Sequence, residues 1–303
     1  MRKFLLAALS GIIALLFICT FAFKNLAQGN QSEPARRLLV WVKPDGTEQS
    51  IPGPPHAYRS PRISPDGTRI AVSIEEQGGH IWIYEIKRGS LARFTTEGTN
   101  NLYPMWTPDG KHIAFESDNP AAPGNLFWQS SSGKGEAERL IASENAEAPS
   151  GWSPDGRLLA FWEANPKTSR DIWIFSLADH ERHLFLQTPA SEAAARFSPD
   201  GKWLAYTSTE TGRPEICIRP YPGPGDKRQV SSDGGTEPLW STDGKRIFYR
   251  EGDAKVMAAE IVDGAVGTPK PLFQGRYVLN PAGTAANYDV TADGRFLMIK
   301  PAN

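Results

Sequence analysis

One tetrapeptide, Ser/Thr-X-Asp-Gly, recurs six times along this chain, and its spacing leaves few folds open. Its Asp-Gly pairs are Asp66-Gly67, Asp109-Gly110, Asp155-Gly156, Asp200-Gly201, Asp243-Gly244 and Asp293-Gly294. Successive Asp residues lie 43, 46, 45, 43 and 50 positions apart, the period of one propeller blade. Each copy sits between two apolar runs. Ser or Thr at the first position, Pro at the second in four copies and Gly at the fourth suit a type I turn closed by a residue of positive φ. The tetrapeptide therefore reads as a hairpin instruction. Six recurring carboxylates would also suit metal binding, but the Pro and Gly beside them already account for the Asp as a turn residue.

The rest of the repeat supplies the other strands. After each turn comes a run with a basic start, as in Lys111-His112-Ile113-Ala114-Phe115 and Lys202-Trp203-Leu204-Ala205-Tyr206. Ala recurs at one position (Ala71, Ala114, Ala160, Ala205), which marks a tight spot between sheets; Phe248 and Met298 replace it in the last two copies. A third run is β-branched and aromatic, as in Ile81-Trp82-Ile83-Tyr84 and Ile172-Trp173-Ile174-Phe175, and a short fourth run ends the unit. The last repeat has only its first two strands, and Leu38–Ile51 supplies only a third and fourth. Together they make one blade. The expected fold is all-β: a six-bladed propeller of four-stranded antiparallel blades, the last built from both ends of the domain. Tryptophans such as Trp106, Trp152 and Trp240 are expected to fill the spaces between blades.

The N-terminus differs in kind. Arg2 and Lys3 precede Phe4–Phe23, an uncharged apolar stretch of twenty residues, and Lys24 follows. That length suits a membrane-spanning helix; a cleaved signal peptide ending near Thr20-Phe21-Ala22 is the alternative. Either reading sends the propeller across the membrane, to the periplasm or outside. The expected organisation is an anchor or signal over 1–23, a polar linker over 24–35 and the propeller over 36–303. Cys19 and Cys217 are the only cysteines, one in the apolar stretch and one in a strand, so no internal disulfide is expected. Net charge is −1 with no Lys/Arg cluster, which argues against a nucleic-acid partner.

No Gly-X-Ser-X-Gly elbow, P-loop or kinase signature occurs. The one histidine pair, His180-Glu181-Arg182-His183, falls in a turn, and no metal or cofactor is expected. Candidate binding residues are those two to four places before the Ser/Thr, where the first strand of each blade lines the central channel. They vary between repeats: Arg62, Tyr103, Arg196, Glu237, Asn287 and Asp289 are polar, whereas Gly151 and Ala194 are small. An asymmetric, functional channel mouth is one reading; solvated loop positions free to drift is the other. Glu237 and Asp289 would also suit a carboxylate pair across the channel of a glycan-cleaving enzyme.

With the repeat assembled, as in Pro61-Arg62-Ile63-Ser64-Pro65-Asp66-Gly67 and Ala195-Arg196-Phe197-Ser198-Pro199-Asp200-Gly201, the chain resembles the TolB-type β-propeller repeat family of bacteria over residues 36–303. The resemblance implies a propeller that binds partners in the cell envelope. Repeats of this kind also occur behind membrane-anchored kinases and before peptidase domains. The small N-terminal α/β domain of TolB has no counterpart, so its lipoprotein partner does not carry over. The reading is a non-enzymatic, monomeric scaffold binding an envelope protein or cell-wall component. An enzyme acting on oligosaccharides or peptides in the channel is the alternative.

Overall fold

The computed structural model describes residues 34–76, 78–118, 124–280 and 282–302, and the expected anchor or signal at Phe4–Phe23 lies outside them. Among the described residues no helix is long and apolar enough to cross a membrane. Six sheets follow one another along the chain. Strands β1 (Arg37–Val42) and β2 (Glu48–Ser50) come first. Blade one holds β3 (Tyr58–Ile63), β4 (Arg69–Ile74), β5 (His80–Glu85) and β6 (Ser90–Arg93). Blade two holds β7 (Asn101–Trp106), β8 (His112–Ser117), β9 (Asn125–Ser130) and β10 (Glu138–Arg139). Blade three holds β11 (Glu147–Trp152), β12 (Leu158–Asn165), β13 (Ser169–Ser176) and β14 (Arg182–Leu186). In blade four these are β15 (Glu192–Phe197), β16 (Trp203–Ser208), β17 (Glu215–Pro220) and β18 (Arg228–Gln229).

Blade five departs from the four-strand pattern. After β19 (Thr236–Trp240) and β20 (Arg246–Glu251), the long β21 (Lys255–Val262) pairs both with a two-residue β22 (Ala265–Val266) and with β23 (Lys270–Gln274). The cause is local: Asp263-Gly264, with φ of 49° and 75°, makes a second tight hairpin inside the blade. Blade six joins β24 (Tyr288–Val290) and β25 (Phe296–Pro301) to β1 and β2, in the order β2-β1-β25-β24. The two ends of the domain thus close the ring. Along the joint, Arg37 through Val42 pair antiparallel with Pro301 through Phe296.

Each Ser/Thr-X-Asp-Gly copy is the turn between the first and second strands, and one hydroxyl organises it. In the first copy Ser64 Oγ accepts the Arg69 N–H at 2.9 Å and donates to Asp66 Oδ1 at 2.5 Å. Asp66 Oδ1 also accepts the Thr68 N–H, and Gly67 N–H returns to the Ser64 carbonyl at 2.8 Å with φ of 70°. The Ser/Thr–Asp bond recurs in the other five copies. The repeated Asp is a turn residue.

Packing between blades follows a size rule that the recurring alanine only hints at. Ala71 shares a core cluster with Trp106 of the next blade, Ala114 with Trp152, Ala160 with Phe197 and Ala205 with Trp240. At the fifth junction the sizes are exchanged: Phe248 packs in one cluster with Val290. A small residue on one blade receives a large ring from the next, so the seam stays filled. At the sixth junction Met298 and Ile63 belong to different clusters, so the exchange stops at the closing joint.

This packing yields a direct test at the second junction. Ala114→Phe should overpack the site by about 1–3 kcal/mol. Trp152→Val should cost about 3 kcal/mol through the cavity it leaves. In urea unfolding the double variant is expected to recover at least about 0.5 kcal/mol of the summed loss. Simple additivity would refute volume exchange at this junction.

Candidate functional site: the central channel

The first strand of every blade lines the channel, and in five blades it carries a β-bulge. The register shifts fall between Arg59 and Arg62, Leu102 and Met105, Pro149 and Gly151, Ala193 and Arg196, and Thr236 and Leu239. In four of these strands the residue six before the turn Asp is left-handed: Ser60, Tyr103, Ala194 and Glu237 have φ between 48° and 61°. A non-glycine residue there costs on the order of 1–3 kcal/mol, so surrounding contacts must enforce it. The bulge bends each strand and re-aims the side chains after it.

Four places before the Asp, side chains reach the axis. Arg196 of blade four donates from Nη1 to Met105 Sδ of blade two at 3.2 Å, passing in front of blade three. The passage needs Gly151: a Cβ there would lie 3.2 Å from Arg196 Cδ and 3.1 Å from the Ala195 carbonyl oxygen. Arg62 is 4% exposed and donates to the carbonyls of Pro61 at 2.6 Å and Tyr288 at 3.1 Å. Burial lowers its pKa, against the opposing charges of Asp289 and Glu237. Burial, and then the like charge of Arg62, lowers Arg196 to about 9. The backbone at both arginines is pinned by neighbouring blades. Trp106 Nε1–H donates to the Arg62 carbonyl and Trp240 Nε1–H to the Arg196 carbonyl, each at 3.0 Å.

The six sequence-derived residues therefore fall into three groups. Arg62, Arg196 and Asp289 share the axis. Asp289 also receives the Ile63 N–H at 2.8 Å and the Val290 N–H at 2.9 Å. Tyr103 stands higher on the wall, where the Arg59 guanidinium lies 5.9 Å from its ring centre. Glu237 and Asn287 are 0% and 1% exposed and hold neighbouring blades together. Glu237 accepts the N–H groups of Asn280 at 2.6 Å and Asn287 at 3.1 Å, while Asn287 Oδ1 accepts the Ser60 N–H at 2.8 Å. Burial raises the Glu237 pKa, against Arg250 and those backbone donors.

Sequence reasoning missed the residues that dress the mouth. Arg59 bonds Glu75 at 2.6 Å and Asn280 Oδ1 at 3.2 Å. Glu116 is half-buried; loss of solvent, and then the like charge of Asp118, push it up to about 7, with Arg59 opposing. Met105 shares the position of Arg62, Arg196 and Asp289, four places before the turn Asp, so the repeat did carry its signal, whereas Arg59, seven places before, lies one place outside the window chosen. Asn280 lies in the segment 275–287, which has no counterpart in the other repeats. The turn expected over His180-Glu181-Arg182-His183 ends sooner, since Arg182 and His183 begin β14, and there Arg182 bonds the buried Glu147 at 3.1 Å and also Glu163. Among the described residues, no three His, Cys, Asp or Glu side chains converge as a metal site would need.

A family model described as the TolB beta propeller domain matches residues 42–169 and 141–295. The chain belongs to this family. Its fold is shared with a putative TolB from Agrobacterium tumefaciens at a TM-score of 0.73 and 18% identity, over 89% of this chain and 99% of that one. An oligogalacturonate lyase in complex with manganese shares it at 0.58 and 13%, over 87% and 78%. The "uncharacterized peptidase YuxL" of Bacillus subtilis (strain 168) is 27% identical over 193 residues, 50% of this chain and 29% of that protein. The chain thus spans under a third of that relative.

The buried carboxyls set an expected pH dependence. Burial, and then the neighbouring Glu163, raises Glu147 to about 8, with Arg182 and Arg139 opposing. A raised carboxyl stabilises fully below its unfolded value, and that contribution is lost as pH rises through the folded value. The turn residues Asp66, Asp109, Asp155 and Asp243 are held low, first by the turn hydroxyl and then by a backbone N–H, so their contribution is lost as pH falls. Melting temperature should therefore peak near about pH 5 and decline toward pH 8.5. Glu147→Gln should flatten the alkaline decline in scanning calorimetry; an unchanged slope would mean Glu147 is ionised in the folded protein throughout.

Proposed function

We propose that this protein is a non-enzymatic binding propeller of the bacterial cell envelope, taking its partner at the channel mouth. The observation that carries this reading is the state of the channel carboxylates. Glu237 and Asp289 are both engaged by backbone N–H donors. Such bonds suit joining blades; a proton-transfer pair needs at least one carboxyl free to reach a substrate. Arg59 and Tyr103 at the mouth are residue types that dominate binding energy at interfaces. Export is supported by the apolar stretch Phe4–Phe23 behind Arg2 and Lys3, and the fold shared with a putative TolB is consistent with an envelope role.

A second reading rests on Glu116. A carboxyl raised to about 7 beside an arginine is suited to acid–base work at neutral pH. The printed names of two relatives, a peptidase and an oligogalacturonate lyase, give the substrate classes to screen.

Affinity capture from envelope extracts separates the two. The exported domain should retain a specific envelope protein or cell-wall component, and Arg59→Ala/Tyr103→Ala should lose it while still melting cooperatively. Turnover of peptides or oligogalacturonides by purified protein, abolished in Glu116→Gln, would replace the binding reading with the second one. Fractionation addresses the anchor: salt-resistant membrane association with an intact N-terminus is expected for an uncleaved span, and a soluble form starting near Phe23 or Gln28 for a signal peptide.

A further inference from the structure

The two axial arginines are short of partners, as a few other buried arginine nitrogens are (Arg219 Nε, Arg250 Nη1), but only these two meet at the channel axis from separate blades. Arg62 and Arg196 both have a buried Nε–H with no hydrogen-bond partner among the described residues. Neither is in an ion pair with a described residue, although thirteen such pairs occur elsewhere. The one bond Arg196 donates goes to a thioether sulfur, a weak acceptor, at 3.2 Å. Among the described residues Arg62 donates only to neutral carbonyls and the Arg196 side chain to no oxygen at all, and two desolvated guanidiniums that repel one another without a paired anion are costly. The packing holds them there regardless: Trp106 and Trp240 fix the two backbones, and Gly151 clears the path of the Arg196 side chain.

Blades one and four face each other across a ring of six, so the guanidiniums approach the axis from opposite walls. Arg196 is half-buried, whereas Arg62 is buried. The charges that act on them are Asp289 and Glu237, and Glu237 also faces Arg250. Three arginines against two carboxylates leave one positive charge unbalanced. A single negative charge with two acceptor oxygens matches both the deficit and the edge-on Nε–H/Nη–H donors of an arginine. We propose that the propeller axis is an oxyanion subsite in which Arg62 and Arg196 bind a carboxylate group of the ligand. A phosphate dianion would overshoot the charge balance. This inference rests on the channel being the binding site, as proposed above, and it adds the chemistry recognised there.

The test uses purified protein with no partner present, so its outcome is independent of partner capture and of turnover. Sodium acetate, N-acetyl-D-alanine, D-galacturonate and inorganic phosphate are each titrated in place of sodium chloride at constant ionic strength. Binding is read by calorimetry and by thermal shift. Acetate is expected to bind saturably and to raise the melting temperature above the chloride control. Preference for the acetylated amino acid or for galacturonate then tells a peptide source of the carboxylate from a saccharide one. Arg196→Gln, which loses no oxygen partner, should weaken acetate about tenfold or more, the worth of a charge-assisted hydrogen bond. Arg196→Lys keeps the charge without the fork and should bind between the two; it serves should the glutamine variant fail to fold. Absence of any carboxylate effect beyond chloride, equal binding by the variants, or tighter binding of phosphate than of acetate would each overturn the assignment.

Discussion

The ladder between β1 and β25 is the contact on which the rest of the channel depends. A propeller blade contributes only its innermost strand to the channel wall, and that strand's position is fixed by the neighbours on both sides. Until Arg37–Val42 pair with Phe296–Pro301, blade six lacks its outer half, and only β24 and β25 stand between blades five and one. The joint is reinforced by bonds distant in sequence. Lys300 bonds Glu48 at 2.6 Å, and Tyr277 donates to Glu48 at 2.7 Å. On the inner side β24 is only three residues long, so side chains do what a longer strand does elsewhere. Tyr288 Oη–H donates to the Glu237 carbonyl, Asn287 accepts from Ser60, and Asp289 accepts from Ile63.

That arrangement explains why three polar residues of the channel strands are not open recognition groups. Glu237, Asn287 and Asp289 sit at or beside the junction where the ring is sewn shut, and their acceptors take up backbone donors that lack a strand partner. A buried carboxylate in that role resists replacement, because its removal strands two N–H groups at once. The same repeat position carries Tyr103 and Ala194 in blades two and four. There the left-handed bulge persists with an aromatic ring or a methyl group, so the bulge belongs to the backbone and the side chain is free to specialise.

The architecture was legible in the sequence because it is written in periodic, local signals. A turn hydroxyl, its Asp and its Gly act within six residues of one another, and repetition multiplies the signal. The closing blade was legible because two incomplete repeats add up to one. The extra hairpin of blade five was not legible from the repeat, because its turn dipeptide Asp263-Gly264 lies off the period. For the site, phase told which residues approach the axis but not what they meet. Arg196 and Met105 lie in blades two apart, and Glu237 meets Asn280 from a segment outside the repeat. Such contacts depend on the curvature of the closed ring, which has no counterpart in local pattern.

Distance from the turn Asp therefore assigns a role to each residue of a channel strand. Three places before it, rings such as Trp106, Trp152 and Phe197 fill the seam to the preceding blade. Four places before it, Arg62, Met105, Arg196 and Asp289 meet on the axis. At six places the backbone is bulged, and at seven Arg59 opens toward the mouth. The seam and the bulge are shared by most blades because closure demands them of each. The axis and the mouth are not: the axis position differs between blades except for its two arginines, and a six-fold ring has no structural need for two arginines on opposite walls beside one aspartate. Symmetry of the scaffold thus isolates the positions where symmetry is broken. Those positions gather on the axis and at the mouth, where a ligand entering the channel would meet them in turn.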